Sequence, residues 1–118
     1  MDKRILKWLY DIKVTIDEIN SYFIDEKVDF SEYKKNSMRK RAVERNLEII
    51  GEAINRIIKT YNSISSKITD SAAIVGLRNQ VIHAYDNISD ETIWAILTNH
   101  LPILKIEIDK LLENSTPT

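Results

Sequence analysis

The sequence predicts an all-α protein, a four- to five-helix up-and-down bundle. Three observations carry that expectation. Apolar residues recur at three- and four-residue steps through most of the chain, which is the period of one helix face. The 118 residues include only two glycines and two prolines, too few for the sharp turns of a β-sandwich or barrel. Capping residues (Asp2, Asp29, Ser89) stand just ahead of periodic stretches.

The first helix is expected from about Lys3 to Phe23, with Asp2 as its N-cap. Ile5, Trp8, Leu9, Ile12, Ile16, Ile19 and Phe23 make one apolar stripe there. The acidic stretch from Ile24 to Phe30 reads as a connection. The second helix starts between Ser31 and Ser37 and reaches about Tyr61. Asp29 and Glu32 have capping-box spacing, which favours the earlier start. Its core face is Ala42, Val43, Leu47, Ile50, Ile54, Ile57, Ile58 and Tyr61. Gly51 in its middle costs about 1 kcal/mol against alanine, so close approach of another helix is expected there. Asn62 to Lys67 is serine-rich and reads as a loop.

Thr69, Asp70 or Ser71 caps a third helix over Ala72 to about Ala84. Asp86-Asn87 turns the chain, and Ser89 caps a fourth helix. Pro102 interrupts a periodic stretch. It lacks an N–H and presses on the preceding turn, so it is expected to kink that helix or start a fifth. Ile103, Ile106, Leu111 and Leu112 continue the apolar pattern. Residues 1–113 are expected to form one domain, followed by a frayed tail, 114–118.

Composition narrows the function classes. The chain has no cysteine, which excludes disulfides and thiolate metal sites and fits a cytoplasmic location. No apolar run approaches the ~20 residues that span a bilayer, and MDKRILKWLYDIK lacks the apolar core of a signal peptide. No membrane partner is expected. The net charge of −1 supplies no global attraction to nucleic acid, so RNA contact needs a local patch. There is no glycine-rich phosphate loop, and no cofactor is expected.

The chemistry concentrates in RNQVIHAY, Arg78 to Tyr85, which reads R-x-x-x-x-H-x-Y. RNA cleavage without a metal needs a base for the 2′-hydroxyl proton, an acid for the leaving oxygen, and positive charge on the phosphate. Histidine, with a reference pKa of about 6.5, serves as base or acid near neutrality. Arginine stays charged and presents a planar fork that matches phosphate oxygens. Asn79 can orient His83 or hold a phosphate oxygen. Tyr85 can donate a hydrogen bond, stack on a base or accept a modification. On one straight helix, Arg78 and His83 would stand about 140° apart, whereas Arg78 and Tyr85 nearly eclipse and Asn79 shares a face with His83. Either the helix ends near His83, or two copies meet across a two-fold axis and build a composite site. The same residues also fit structural roles: Arg78 opposing the helix dipole, His83 as a C-cap donor, Tyr85 as a core aromatic.

Other candidates carry less. Lys34, Lys35, Arg39, Lys40, Arg41 and Arg45 could hold RNA phosphates in a salt-sensitive way, or form a solvated helix face. Glu44, Glu48 and Glu52 recur every four residues. No histidine stands in register with them, so a metal site is not expected; pairing of Glu48 and Glu52 with Arg45 and Arg56 is favoured over orientation of Arg78. His100 reads as a surface or interface residue. Trp8 and Trp94 read as core or dimer-interface anchors.

ERNLEIIGEAINRI (Glu44 to Ile57) and GLRNQVIHAYDNISDETIWAILTNHLPIL (Gly76 to Leu104) together resemble the HepT branch of HEPN-domain toxins, over Ala42 to Leu112. The chain departs from that pattern just before the third helix, where KITDSAAI stands in place of a proline–tryptophan element. The resemblance implies a HEPN-type helical domain that forms a homodimer, with the motifs of two protomers lining one cleft. It implies the toxin of a type II/VII-like toxin–antitoxin pair: a metal-independent endoribonuclease with Arg78 and His83 as the catalytic pair, Asn79 in support and RNA, tRNA or mRNA, as substrate. It also implies a nucleotidyltransferase-type antitoxin that transfers AMP to Tyr85. The alternative is a non-catalytic helical docking subunit for such a nucleotidyltransferase.

Overall fold

Four capping side chains decide where the helices begin. A computed structural model describes residues 2–23, 29–69, 71–72, 74–76 and 89–115. Helix α1 spans Lys3–Ser21, and the Asp2 carboxylate accepts the Arg4 backbone N–H at 2.7 Å. Helix α2 spans Phe30–Lys35, where Asp29 accepts the Glu32 N–H at 2.9 Å. Helix α3 spans Ser37–Thr60, where Asn36 accepts the Arg39 N–H at 2.9 Å. A last helical run begins after Ser89, whose hydroxyl accepts the Thr92 N–H at 3.2 Å. Each cap satisfies a donor that the first turn leaves open.

Both candidate starts of the second helix are therefore real, and they belong to two helices. Asn36 is extended (φ −103°, ψ 95°), so it ends α2 and begins α3. The apolar period alone does not show this break, because Tyr33 and Val43 are both buried across it. The first helix stops at Ser21, two residues short of Phe23, though Phe23 still packs against the core. Asn62–Lys67 is a 3₁₀ helix rather than an irregular loop. The Ser65 and Ser66 hydroxyls donate back to the carbonyls of Asn62 and Ser63, and buried Ile64 pins the segment. Residues 71–72 and 74–76 are helical, and the rest of the expected third helix lies outside the described residues.

Helix α4 spans Asp90–Ala95, a π turn covers Ile96–His100, and helix α5 spans Leu101–Ser115. Pro102 thus stands at the second position of α5, the fifth-helix start expected of it, and the irregular backbone lies in the π turn just ahead. The Leu101 N–H donates to the Ile96 carbonyl five residues back. That wider turn gives the proline ring room, and the Thr98 hydroxyl donates to the Trp94 carbonyl at 2.9 Å within it.

The core lies where α1 packs against α3 and α5. Ile5, Leu9, Ile12, Ile16 and Ile19 of α1 meet Val43, Leu47, Ile50, Ile54 and Ile57 of α3, with Leu101, Leu104, Ile108 and Leu111 of α5. Each such side chain contributes about 1.5–3 kcal/mol by leaving water. Three residues expected in the apolar pattern are exposed instead: Tyr61, Ile103 and Ile106. Tyr61 caps the end of α3, past its last packed turn. Ile103 and Ile106 fall on the face of α5 opposite its buried 101–104–108–111 stripe. Phe23, Phe30, Tyr33 and Trp94 form a second cluster, with ring centroids between 5.4 and 6.5 Å apart, joining the end of α1 to α2 and α4.

Candidate nucleic-acid interface

Arg78, Asn79, His83 and Tyr85 fall in the stretch 77–88, outside the described residues. The frame on either side of that stretch is well held. Ahead of it, Ile68 and Ile74 are buried, and the Glu107 carboxylate of α5 accepts both the backbone N–H (2.9 Å) and the hydroxyl (2.7 Å) of Thr69. Beyond it, Ser89 caps α4, and Asp90 takes an ion pair from Lys40 of α3 at 3.1 Å. A carboxylate in the first turn of α4 also suits the helix dipole.

Among the described residues, two of the clefts along α3 gather several charged side chains from more than one helix. The first, about 470 Å³, lies between the start of α3 and the start of α4, lined by Ser37, Lys40, Arg41, Glu44, Ser89, Asp90 and Glu91. Lys40–Asp90 bridges it. Burial raises the Glu44 carboxyl above the ordinary range; Lys40 lowers it in part, Asp90 raises it further, and Arg41 lowers it. The Tyr33 ring beneath is fully buried, and its hydroxyl makes no hydrogen bond. Burial, with Glu44 and Asp90 nearby, pushes the phenol well above its ordinary range, so it stays protonated.

The second cleft, about 300 Å³, lies between α1 and α3. Trp8 and Asp11 come from α1. Arg45, Glu48, Ile49, Glu52, Ala53 and Arg56 come from α3. Arg45, Ile49, Glu52 and Arg56 follow a four–three–four spacing, which is one helical stripe. The pairing favoured from the sequence is present: Arg45 meets Glu48 and Arg56 meets Glu52, each at 3.1 Å. Glu44 does not share their surface; it belongs to the first cleft.

The basic cluster does not form one patch. The Lys34 ammonium lies over the Phe30 ring at 5.0 Å, and the Arg39 guanidinium over Phe23 at 5.3 Å. Lys35 pairs with Glu32 at 3.7 Å, Lys40 is held by Asp90, and Arg41 lines the first cleft. Positions 39, 40 and 41 point in different directions by about 100° steps, so adjacency in sequence scatters them around α3. His100 is half-buried in the π turn. Sequence reasoning missed Tyr33 and Asp90, because the chain separates Asp90 from Lys40 by 50 residues; the only local signal was an acid directly after a serine cap. Among the described residues no group of three or more His, Cys, Asp or Glu could hold a metal ion together, and no helix is long and apolar enough to cross a membrane.

Relatives supply the context for this frame. The family described as Ribonuclease HepT-like matches residues 12–111, a span that includes Arg78 to Tyr85. A protein of Methanocaldococcus jannaschii named as an RNase is 33% identical over 97% of this chain and 97% of its own. A second one from that organism is 34% identical over 92% of this chain and 98% of its own. A protein of Thermococcus cleftensis named as ribonuclease HepT is 28% identical over 88% of this chain and 92% of its own. No solved structure gives a significant match. On the extent of these matches, the chain belongs to the HepT-like ribonuclease family.

Proposed function

We propose that the chain is a metal-independent endoribonuclease in which Arg78 and His83 act on the RNA phosphodiester. The observation that carries this reading is a ribonuclease-family match whose span contains the R-x-x-x-x-H-x-Y sequence. The 2′-oxygen attacks phosphorus while a base removes its proton. The bond to the 5′-oxygen breaks as an acid protonates it, leaving a 2′,3′-cyclic phosphate and a 5′-hydroxyl. His83 supplies base or acid, Arg78 stabilises the charge on the phosphoryl oxygens, and Asn79 orients one of them. Because Arg78 and His83 diverge on a straight helix, a homodimer that brings two motifs to one cleft makes the better site.

The same reading makes the chain a toxin whose partner is a nucleotidyltransferase-type antitoxin. AMP on Tyr85 would place a phosphodiester charge and a bulky nucleoside beside Arg78 and His83, where substrate phosphate must sit. Of Lys34, Lys35, Arg39, Lys40 and Arg41, Arg41 is the best placed to add a weak contact to RNA, because it lines the first cleft while Lys40 is bridged to Asp90 and Lys34 and Arg39 lie over aromatic rings. Purified protein should cut RNA in EDTA to a cyclic-phosphate end and leave DNA intact, and His83→Ala should abolish the cut. Co-expression with the antitoxin should add one or more AMP units to the intact mass, mapping to Tyr85. A folded, unmodified protein that cuts no RNA would reject the ribonuclease reading in favour of a docking subunit, and cleavage that His83→Ala retains would remove the catalytic role given to His83.

A further inference from the structure

We propose that the cleft between α1 and α3 is a nucleobase subsite of the RNA strand, with Trp8 as the stacking face. This inference rests on the ribonuclease reading above and adds a place and a mode of binding to it. Three features of the cleft carry it.

The first is size and surface. About 300 Å³ suits a base with part of its ribose, and Trp8, Ile49 and Ala53 give it an apolar lining. Trp8 lies at the edge of the core, only part-buried, so its indole packs on the protein and still borders the cleft. An indole in that position suits a flat aromatic ligand without selecting its sequence.

The second is charge. Two arginines and three carboxylates (Asp11, Glu48, Glu52) line the cleft, so its net charge does not favour a phosphate inside it. Carboxylates instead accept hydrogen bonds from base N–H groups. Glu48 is half-buried, and the Arg45 guanidinium meets its Oε1 at 3.1 Å.

The third is the rim. The Arg45 and Arg56 side chains are exposed, and each uses only part of a five-donor guanidinium on its glutamate. They stand eleven residues apart on α3, about 16 Å along the axis, which lets them take phosphates on either side of a seated base. The first cleft lacks this arrangement: it has no aromatic lining, and its lysine is already bridged to Asp90.

The test uses a 2′-O-methyl RNA oligonucleotide, which binds but cannot be cut through its blocked 2′-oxygen. Trp94→Phe leaves Trp8 as the only tryptophan. Saturating RNA should quench its emission. By fluorescence anisotropy of labelled RNA, Trp8→Ala should bind about 5- to 150-fold more weakly, while Trp8→Phe keeps most of the affinity. Arg45→Gln should flatten the slope of log K against log salt by about 0.7. Circular dichroism checks folding; should Trp8→Ala unfold, the emission and Trp8→Phe arms still decide. RNA that binds without changing Trp8 emission, and binds Trp8→Ala as tightly as the parent, would overturn the subsite. If the wild type still cuts RNA in that case, the subsite falls alone. A folded wild type that neither binds nor cuts RNA removes the ribonuclease reading and the subsite together.

Discussion

The two clefts share α3 and differ in what their charges are for. In the first, the Lys40 and Asp90 side chains are only 26% and 24% exposed, and their contact joins α3 to α4. In the second, Arg45 and Arg56 are 65% and 56% exposed, and each is paired within its own helix. A half-buried pair between elements acts on architecture, because losing one partner strands the other away from water. An exposed pair within a helix contributes little stability and leaves its cation available to a ligand. Charge count alone would rank the clefts alike. Burial and chain separation distinguish them.

The largest expected effect comes from what lies beneath both clefts. Ile54 is fully buried on the α3 stripe that faces away from them. Ile54→Ala should cost about 2–5 kcal/mol in urea unfolding, and a cost below about 1 kcal/mol would mean that α3 is not the shared wall described here.

The contrast itself is tested by two double-mutant cycles. Lys40→Met should cost about 1–3 kcal/mol, since Asp90 then faces Glu44 without its cation. The coupling in a Lys40→Met, Asp90→Asn cycle should reach about 1 kcal/mol, against about 0.3–0.5 for Arg45–Glu48. Equal couplings would erase the distinction between the clefts.

A smaller effect sharpens the first cleft. Burial raises the Glu44 carboxyl on folding, so the folded state disfavours its ionised form. At pH 7 that works against stability, and Glu44→Gln should melt higher than the parent. As pH falls through the ordinary carboxylate range, Glu44 becomes protonated in both states and the advantage should vanish. An advantage unchanged at pH 4 would assign it to something other than this titration.

Much of the fold was legible because helical period and capping chemistry are local. The stripe from Ile5 to Ile19, the caps at Asp2, Asp29 and Ser89, and the pairing of Glu48 and Glu52 with arginines all depend on neighbours within a turn or so. Asn36 was missed because apolar residues continue on both sides of it, so the period shows no gap where the backbone leaves the helix. Pro102 was expected to kink a helix or start a fifth, and it stands at the second position of α5; the π turn ahead of it has no signature in side-chain type. Ile103 and Ile106 were misplaced by composition: they are apolar but fall off the stripe fixed by Leu104 and Ile108. The basic cluster looked like a patch because sequence adjacency hides the 100° rotation between residues. The Lys40–Asp90 contact was out of reach, since no local rule links residues 50 positions apart. For the site, residue types and family resemblance pointed to Arg78 and His83, whereas the Trp8 cleft emerged only once α1 was packed against α3.

The central claim is that Arg78 and His83 cut RNA without a metal. The most direct measurement incubates end-labelled RNA in EDTA with wild-type protein, Arg78→Ala and His83→Ala, each shown to be helical and free of AMP. The wild type should give a 2′,3′-cyclic phosphate product, and either variant should lose at least about 100-fold in rate. Cleavage that persists in His83→Ala, or that needs added metal in the wild type, would contradict it.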